Sequence, residues 1–503
     1  MSFPDPIAVV VAESSPSAFW RALARAERTA RVAELRLDAL SDLAPMVAVL
    51  ERLARHRTRL TLIATCRRRA DGGHFAGSAS AQLAVLALAA RAGCQWVDVD
   101  AATLEVFPPA LRAALLPPAR RIVSFHDFRR TPPSPGALER LYQRLDRLDG
   151  DRVKISVTAR RQRDNVNLLA LARRHRRRLI AVSMGTVGLP GRVLALRAGS
   201  ALAYAALDRG PATAPGQLRW SEMRELYRAH RLKARSRVYG VIGCPILHSL
   251  SPAMHNAALA AARLDAVYLP FEVESLGDFL AAVGPLGVAG FSVTHPHKQA
   301  ILRHLDGIDP LAESIGAVNT VVVRGRGKLY GYNTDYIGVL RTLQRHIRLE
   351  GSQVLLVGAG GAARAVAFAL ATAGAYVCVT SRRPASARRL AKAVGGEAVP
   401  RAALRRRVFD AIVNCTPVGQ APETNASPLR REELNCRVLF DLVYNPRETK
   451  LLRLGRRRGL TTIPGWQMLV EQGAAQFEIW TGLRAPLAVM HRTVLRSLKQ
   501  AEQ

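Results

Sequence analysis

Val153-Lys154-Ile155-Ser156-Val157 is an apolar run of strand length with a lysine at its second position. It is the sixth of eight such runs: Ile7–Ala12, Ala33–Leu37, Leu60–Thr65, Trp96–Asp100, Ile122–Phe125, Val153–Val157, Leu179–Ser183 and Ala201–Leu207. Between them lie Ala/Leu/Arg stretches such as Phe19–Arg31 and Ala81–Ala92, whose three-and-four apolar spacing marks amphipathic helices. Eight strand-helix repeats are what a parallel (β/α)8 barrel requires, and in that fold the chemistry sits where strands end and the following loops begin. The polar residues obey that rule. Glu34 and Arg36 lie in the second run, Arg67 follows the third, Asp98 and Asp100 lie in the fourth, His126 follows the fifth and Arg192 the seventh. Strand side chains alternate, so residues 34 and 36, like 98 and 100, can point into the barrel together.

Lys154 is the informative residue. No other lysine precedes Lys233, and the chain uses seven lysines against 66 arginines. Arginine stays protonated and cannot form an imine, whereas a desolvated lysine near other cations can lose its proton and attack a ketone. The competing reading is a strand-end lysine reaching out to solvent. His126, in Ser124-Phe125-His126-Asp127-Phe128, then sits on the neighbouring strand as a proton shuttle; taken alone it also reads as a structural histidine.

The 503 residues predict about three folding units at roughly 100–200 residues each. With 49% apolar and 22% charged residues, wholesale disorder, collagen and a disulfide scaffold are excluded. The formal net charge is +34, yet the basic excess runs along both halves instead of gathering in a patch or tail. It reads as arginine on solvated faces, and no base-reading signature or aromatic RNA platform accompanies it. The six cysteines form no CxxC pair and have no histidine at zinc spacing, so reduced buried thiols and no metal are expected. No secretory signal is expected at the N-terminus, and the uncharged stretch Ala365–Ser381 is too short to span a bilayer and reads as a buried helix followed by a strand. A cytoplasmic protein is the expectation.

Glu34-Leu35-Arg36-Leu37-Asp38, Thr65-Cys66-Arg67, His126-Asp127-Phe128, Lys154-Ile155, Ser183-Met184-Gly185 and Ala214-Pro215-Gly216-Gln217, taken together, resemble type I 3-dehydroquinate dehydratase across residues 5–220. The resemblance implies an imine between Lys154 and the substrate ketone, with His126 removing the adjacent proton and later helping to expel water. It places Arg192, Thr213 and Gln217 on the substrate carboxylate and hydroxyls, and Glu34, Arg36 and Arg67 around the ring. Asp71 and Asp100 stand where the family commonly has glutamate, and Thr213 where serine is common; altered supporting geometry with retained chemistry is expected.

After Gln217 a charged stretch, Ser221–Arg237, reads as a helical connector, and a new apolar strand begins at Val238. Val354-Leu355-Leu356-Val357-Gly358-Ala359-Gly360-Gly361-Ala362-Ala363-Arg364 reads as a strand, a glycine turn and a helix start, which lets a pyrophosphate approach backbone amides at a helix N-terminus. The next strand, Tyr376–Thr380, ends in Ser381-Arg382-Arg383, where an NAD-binding chain would carry an acidic residue over the ribose. Two arginines there favour the 2′-phosphate of NADP. Upstream, the polar turns Gly243–Pro252, Ser292–Lys298, Gly316–Thr320 and Gly331–Asp335 gather candidate binding groups, although Ser251-Pro252 taken singly reads as a helix start carrying His255.

With Asn414-Cys415-Thr416-Pro417, Asp441–Pro446 and Gly465–Gln472, these segments resemble shikimate dehydrogenase over residues 238–499. The resemblance implies Lys298 and Asp335 as the catalytic pair, Ser249 and Ser251 on the substrate carboxylate, Thr294, Asn319 and Gln472 on its hydroxyls, and Tyr444 closing on the substrate. It implies Gly358, Ala359, Gly360, Gly361, Ala362, Ser381, Arg382, Arg383, Leu442 and Gly465 along the cofactor. Ser292 replaces a common asparagine and Gln420 a frequent methionine, which puts local packing in question; His295 and His297 have no assigned role.

The expected architecture is α/β: a barrel over 1–220, a connector over 221–237, a substrate-binding domain over 238–345, a Rossmann-type NADP-binding domain over 346–465, and C-terminal helices over 466–503 returning to the substrate domain. The expected function is dehydration of 3-dehydroquinate followed by NADPH-dependent reduction of 3-dehydroshikimate to shikimate. The alternatives are a quinate- or NAD-preferring second half, or a nucleic-acid role for the basic surface. Small molecules are the expected partners, with no membrane, and nothing in the sequence sets an oligomeric state.

Overall fold

The eight apolar runs form eight parallel strands: β1 (Ile7–Val11), β2 (Val32–Arg36), β3 (Thr61–Thr65), β4 (Trp96–Asp100), β5 (Arg120–Asp127), β6 (Arg152–Thr158), β7 (Leu179–Met184) and β8 (Ala203–Ala206). They follow one another in the order β7-β6-β5-β4-β3-β2-β1-β8, and Ala201 N donates to Leu179 O at 2.8 Å where the segment before β8 meets β7. The structure is a computed structural model describing residues 3–110, 119–211 and 213–501. It comprises two units, Met1–Arg237 with Asp265–Gly287, and Val238–Leu264 with Val288–Gln503.

Alternation along these strands builds the barrel interior. Ala8, Val10, Val32, Ile63, Trp96, Ile122, Ile180, Val182, Met184 and Tyr204 form one buried apolar cluster. Residues two and four further along the same faces are Glu34, Arg36, Thr65, Asp98, Asp100, Ser124, His126 and Ser156, with Lys154 on the inward face of β6. The interior is therefore apolar toward the strand starts and charged toward the strand ends. The helices between strands begin on side-chain caps: Ser15, Ser78 and Ser134 accept from Ala18 N, Ala81 N and Ala137 N at 3.4, 3.2 and 3.2 Å.

Two expectations are corrected here. His126 lies inside β5, which runs to Asp127, because the β5–β6 ladder continues through the His126–Ser156 pair. The connector is not one helix: a five-residue π turn, Glu222–Leu226, is followed by a 3-10 turn, Ala229–Arg231, with Arg228 between them at φ 49°. That left-handed residue ends any helical ladder.

In the second unit the strand Arg237–Gly243 pairs in parallel with Val288–Val293, which pairs antiparallel with Thr320–Arg324 and that in turn with Lys328–Tyr332. A second, wholly parallel sheet runs in the order Glu397–Ala398, Tyr376–Thr380, Gln353–Val357, Phe409–Asn414, Cys436–Asp441 and Thr461–Ile463. Its strand Gln353–Val357 is buried on both faces. Val354 and Leu356 pack with Val366 and Leu370 of the helix Gly361–Thr372, while Leu355 and Val357 pack with Phe409, Leu439 and Leu451. Two-sided burial explains its unbroken apolar sequence.

Candidate active sites

The charged end of the barrel closes around Lys154. Its Nζ donates to Asp98 Oδ2 at 2.8 Å and Glu34 Oε1 at 3.4 Å, with a side chain only 6% exposed. Lys154 Nζ also lies 4.2 Å from the Tyr204 ring centroid. Arg67 donates from Nε to Asp100 Oδ1 at 3.1 Å and from Nη2 to Asp98 Oδ1 at 3.3 Å, and the Ser124 hydroxyl donates to Asp98 Oδ1 at 2.6 Å. Arg36 holds Asp38 through two bonds of 2.9 and 2.8 Å, and Thr65 donates to Glu34 at 2.8 Å. Three cations, Lys154, Arg36 and Arg67, are thus paired with four carboxylates, Glu34, Asp38, Asp98 and Asp100.

Lysine was expected beside other cations; its direct partners are acids, because strands β2 and β4 aim their alternate residues at it. Burial opposes charge on Asp98, yet Lys154 and Arg67 hold its carboxyl below the ordinary range. Asp100 is held low despite burial by Arg67 and His126. His126 Nδ1 stands 3.3 Å from Asp100 Oδ1, close enough to pair charges but not aligned as a hydrogen bond. Burial, with Arg67 alongside, pulls the imidazole down to about 4, so it is unprotonated at neutral pH. Its ring stacks on Phe128 at 6.0 Å.

Arg192 differs from the other three cations. Its Nη2 donates to Pro215 O at 2.8 Å, its Nε has no partner among the described residues, and burial lowers it to about 10. No carboxylate pairs with it among the described residues. The cavity is lined by Glu34, Arg36, Arg67, His126, Lys154, Arg192, Thr213 and Gln217, every barrel residue expected from the sequence. Gln217 Oε1 accepts from Thr213 N and Oγ1 at 2.7 and 3.0 Å, leaving its amide donors for a ligand. Asp71 accepts from Arg68 at 2.9 Å and does not line the cavity. Ser156, Val182, Met184 and Tyr204 also line it and were not anticipated; alternation from Lys154 reaches Ser156, but Tyr204 carries no sequence signal.

In the second unit a cleft brings together Ser249, Ser251, Thr294, Lys298, Asn319, Asp335, Ala362, Leu442, Tyr444, Gly465 and Gln472. Lys298 Nζ donates to Asp335 Oδ2 at 2.6 Å, and the lysine side chain is 37% exposed. Asp335 opens the helix Thr334–Leu343, where the Asn333 side chain caps its amide at 3.0 Å. Asn319 Oδ1 accepts from Thr334 N and Thr320 Oγ1, both at 2.7 Å, which leaves its amide donors facing the cleft. Ser249 Oγ accepts from Ser251 N at 3.3 Å. His248 and Gln476 line the cleft as well; Gln476 accepts from Ser292 at 2.9 Å, a bond across 184 residues that no local pattern shows.

A neighbouring cavity is lined by Gly358, Ala359, Gly360, Ser381, Arg382 and Arg383, and a smaller one beside it adds Gly361 and Arg389. These residues fit a phosphorylated dinucleotide. Gly358 has φ +113°, and a Cβ there would come within 3.0 Å of Thr416 Cγ2; at Gly360 and Gly361 nothing lies within 4 Å of a Cβ position, so the helix N-terminus is open to an anion. Arg382 and Arg383 pair with no carboxylate among the described residues. Supporting both loops, Asp441 accepts from Thr449 at 2.6 Å, Asn414 at 2.8 Å and Val443 N at 3.1 Å, while burial pushes its carboxyl up to about 6. No group of three or more metal-ligating side chains occurs among the described residues.

A barrel with a buried, charge-balanced lysine and an α/β reductase with a lysine–aspartate cleft beside a dinucleotide turn define a two-enzyme chain. Comparison with known proteins agrees. Residues 7–233 match the model of type I 3-dehydroquinase, 241–321 that of the shikimate dehydrogenase substrate binding domain, 341–450 that of shikimate / quinate 5-dehydrogenase, and 465–495 that of the shikimate 5'-dehydrogenase C-terminal domain. A chloroplastic bifunctional 3-dehydroquinate dehydratase/shikimate dehydrogenase of Arabidopsis thaliana is 35% identical over 479 residues, covering 92% of this chain and 79% of the relative. A shikimate dehydrogenase (NADP(+)) of Moorella thermoacetica is 44% identical over 53% of this chain and 96% of its own. A crystal structure of a shikimate dehydrogenase in complex with NADP+ aligns with TM-score 0.50 and 37% identity, over 53% of this chain and 97% of that one. The chain belongs to the family of bifunctional 3-dehydroquinate dehydratase/shikimate dehydrogenases.

Proposed function

We propose that this chain catalyses two consecutive steps of the shikimate pathway, dehydrating 3-dehydroquinate to 3-dehydroshikimate and reducing that product to shikimate with NADPH. The observation that carries the reading is the placement of Lys154 and Lys298 in separate cavities, each beside the partners its reaction needs. In the barrel, Lys154 Nζ attacks the ketone carbon and the ketone oxygen leaves as water, giving an imine whose protonated nitrogen draws electrons from the adjacent C–H bond. The proton that Lys154 sheds first has Asp98 and Glu34 within hydrogen-bond reach. His126, neutral at pH 7, takes the adjacent proton and returns it to the departing hydroxyl, and water then hydrolyses the product imine, breaking its C–N bond to free 3-dehydroshikimate and Lys154. Arg36 and Arg67 are matched by their own carboxylates, so Arg192, which has none, takes the substrate carboxylate.

In the cleft, Lys298 hands a proton to the oxygen of the ketone as it is reduced, and Asp335 at 2.6 Å orients the ammonium. NADPH, held by Gly358–Ala362, Ser381, Arg382 and Arg383, supplies the hydride when bound. Ser249 and Ser251 face the carboxylate and Thr294, Asn319 and Gln472 the hydroxyls, with Tyr444 and Leu442 along the wall. No helix among the described residues is long and apolar enough to cross a membrane, and we place the enzyme in the cytoplasm with small molecules as its partners. Borohydride added during turnover of 3-dehydroquinate is expected to trap an adduct on Lys154; a trap elsewhere, or none, sinks the barrel assignment.

A further inference from the structure

The Tyr204 hydroxyl is buried and has no hydrogen-bond partner among the described residues. Tyr204 is 7% exposed, its ring packs in the apolar layer with Val182 and Met184, and it lines the barrel cavity beneath Lys154. Folded proteins rarely leave such a donor unsatisfied, because losing its hydrogen bonds to water costs stability that nothing returns. Phenylalanine would fill the same space without that cost. Because Tyr204 also lines the cavity, its hydroxyl is placed to meet a group that fills it.

We propose that the Tyr204 hydroxyl is a substrate-binding group of the dehydratase, donating a hydrogen bond to an oxygen on or next to the carbon that Lys154 attacks. Its place follows from the ring: Lys154 Nζ sits 4.2 Å from the ring centroid, so whatever is bonded to Nζ lies at the Tyr204 edge of the cavity. The carboxylates nearby are already engaged, Glu34 by Thr65 and Lys154, and Asp98 by Lys154, Ser124 and Arg67. Burial, with Glu34 and Asp98 nearby, raises the phenol well above its ordinary value, so it is a donor throughout the working range. The inference rests on the dehydratase reading and names one more residue of that site.

The test is Tyr204→Phe, which keeps the ring under the ammonium and removes only the hydroxyl. Expected are a fall in dehydratase kcat/KM of roughly five- to tenfold, carried by KM. Also expected are an unfolding temperature of the substrate-free protein about 2–4 °C higher, a smaller upward shift on adding 3-dehydroquinate, and an unchanged reductase rate. Borohydride trapping at Lys154 is retained in the variant. A kcat/KM within twofold of the unsubstituted enzyme, or a substrate-free protein that melts lower because the hydroxyl was bonded within the fold, overturns the role of Tyr204. Absence of a Lys154 adduct in the unsubstituted enzyme overturns the dehydratase reading itself, which separates the two failures.

Discussion

Lys154 and Lys298 are two lysines in an arginine-rich chain, set in opposite surroundings. Lys154 is 6% exposed and touches two carboxylates inside a network that also ties down Arg67 and Ser124. Lys298 is 37% exposed and has one carboxylate partner, Asp335, on the first turn of a helix. The proposed chemistry accounts for the difference. A group that bonds to substrate must stay registered with the atoms it attacks, and a balanced buried network fixes it. A group that only passes a proton needs one orienting partner and room for substrate to reach it.

Breaking each environment should therefore give effects of different size. His126→Asn removes the base while sparing most of the cavity, and a loss of roughly 10²–10⁴ in dehydratase kcat is expected, with reductase activity unchanged. Asp335→Asn leaves Lys298 in place but loosens its orientation; a fall of about 10² in reductase kcat is expected, larger than any change in KM for NADP. Arg382→Asp removes a cation that pairs with no carboxylate among the described residues, and roughly a tenfold shift of kcat/KM from NADP toward NAD is expected. An unchanged cofactor preference would remove Arg382 as the residue that selects NADP.

A further expected effect is one of pH on stability. His126 is held at about 4 in the folded protein against an ordinary value near 6.5. Between those values the unfolded chain binds more protons at this residue, so its contribution is present above pH 6.5 and is lost as pH falls toward 4. Thermal unfolding should show a midpoint that drops across that window, and His126→Gln should flatten the slope; an equal slope in the variant would assign it to other groups, such as His255, which burial lowers to about 3.

Much of this was legible because period and chemistry coincide. All eight barrel strands were readable as apolar runs, and the shared inward face of residues 34 and 36, and of 98 and 100, followed from alternation alone. Lys154 stood out by residue choice, and the turn at Gly358 by its strand and helix context. What stayed hidden is the pairing between elements distant in the chain. The Lys154–Asp98 contact spans 56 residues and the Ser292–Gln476 bond spans 184, and no periodicity carries such information. Tyr204 was invisible for another reason: in Ala203-Tyr204-Ala205-Ala206 it reads as one more buried aromatic, and only the missing partner of its hydroxyl distinguishes it. The connector misled because charge and helix-forming residues outvoted a single left-handed backbone position at Arg228.

The central claim, two independent lysine sites acting in sequence, is tested most directly by one coupled assay. Full-length enzyme, Lys154→Ala and Lys298→Ala are each given 3-dehydroquinate with NADPH, and 3-dehydroshikimate, shikimate and NADPH are followed together. The unsubstituted enzyme should form shikimate with matching NADPH consumption. Lys154→Ala should form neither product from 3-dehydroquinate yet reduce added 3-dehydroshikimate at the normal rate, and Lys298→Ala should accumulate 3-dehydroshikimate with little NADPH consumed. Loss of both steps in either soluble, folded variant, or shikimate formation from 3-dehydroquinate by Lys154→Ala, would contradict the account.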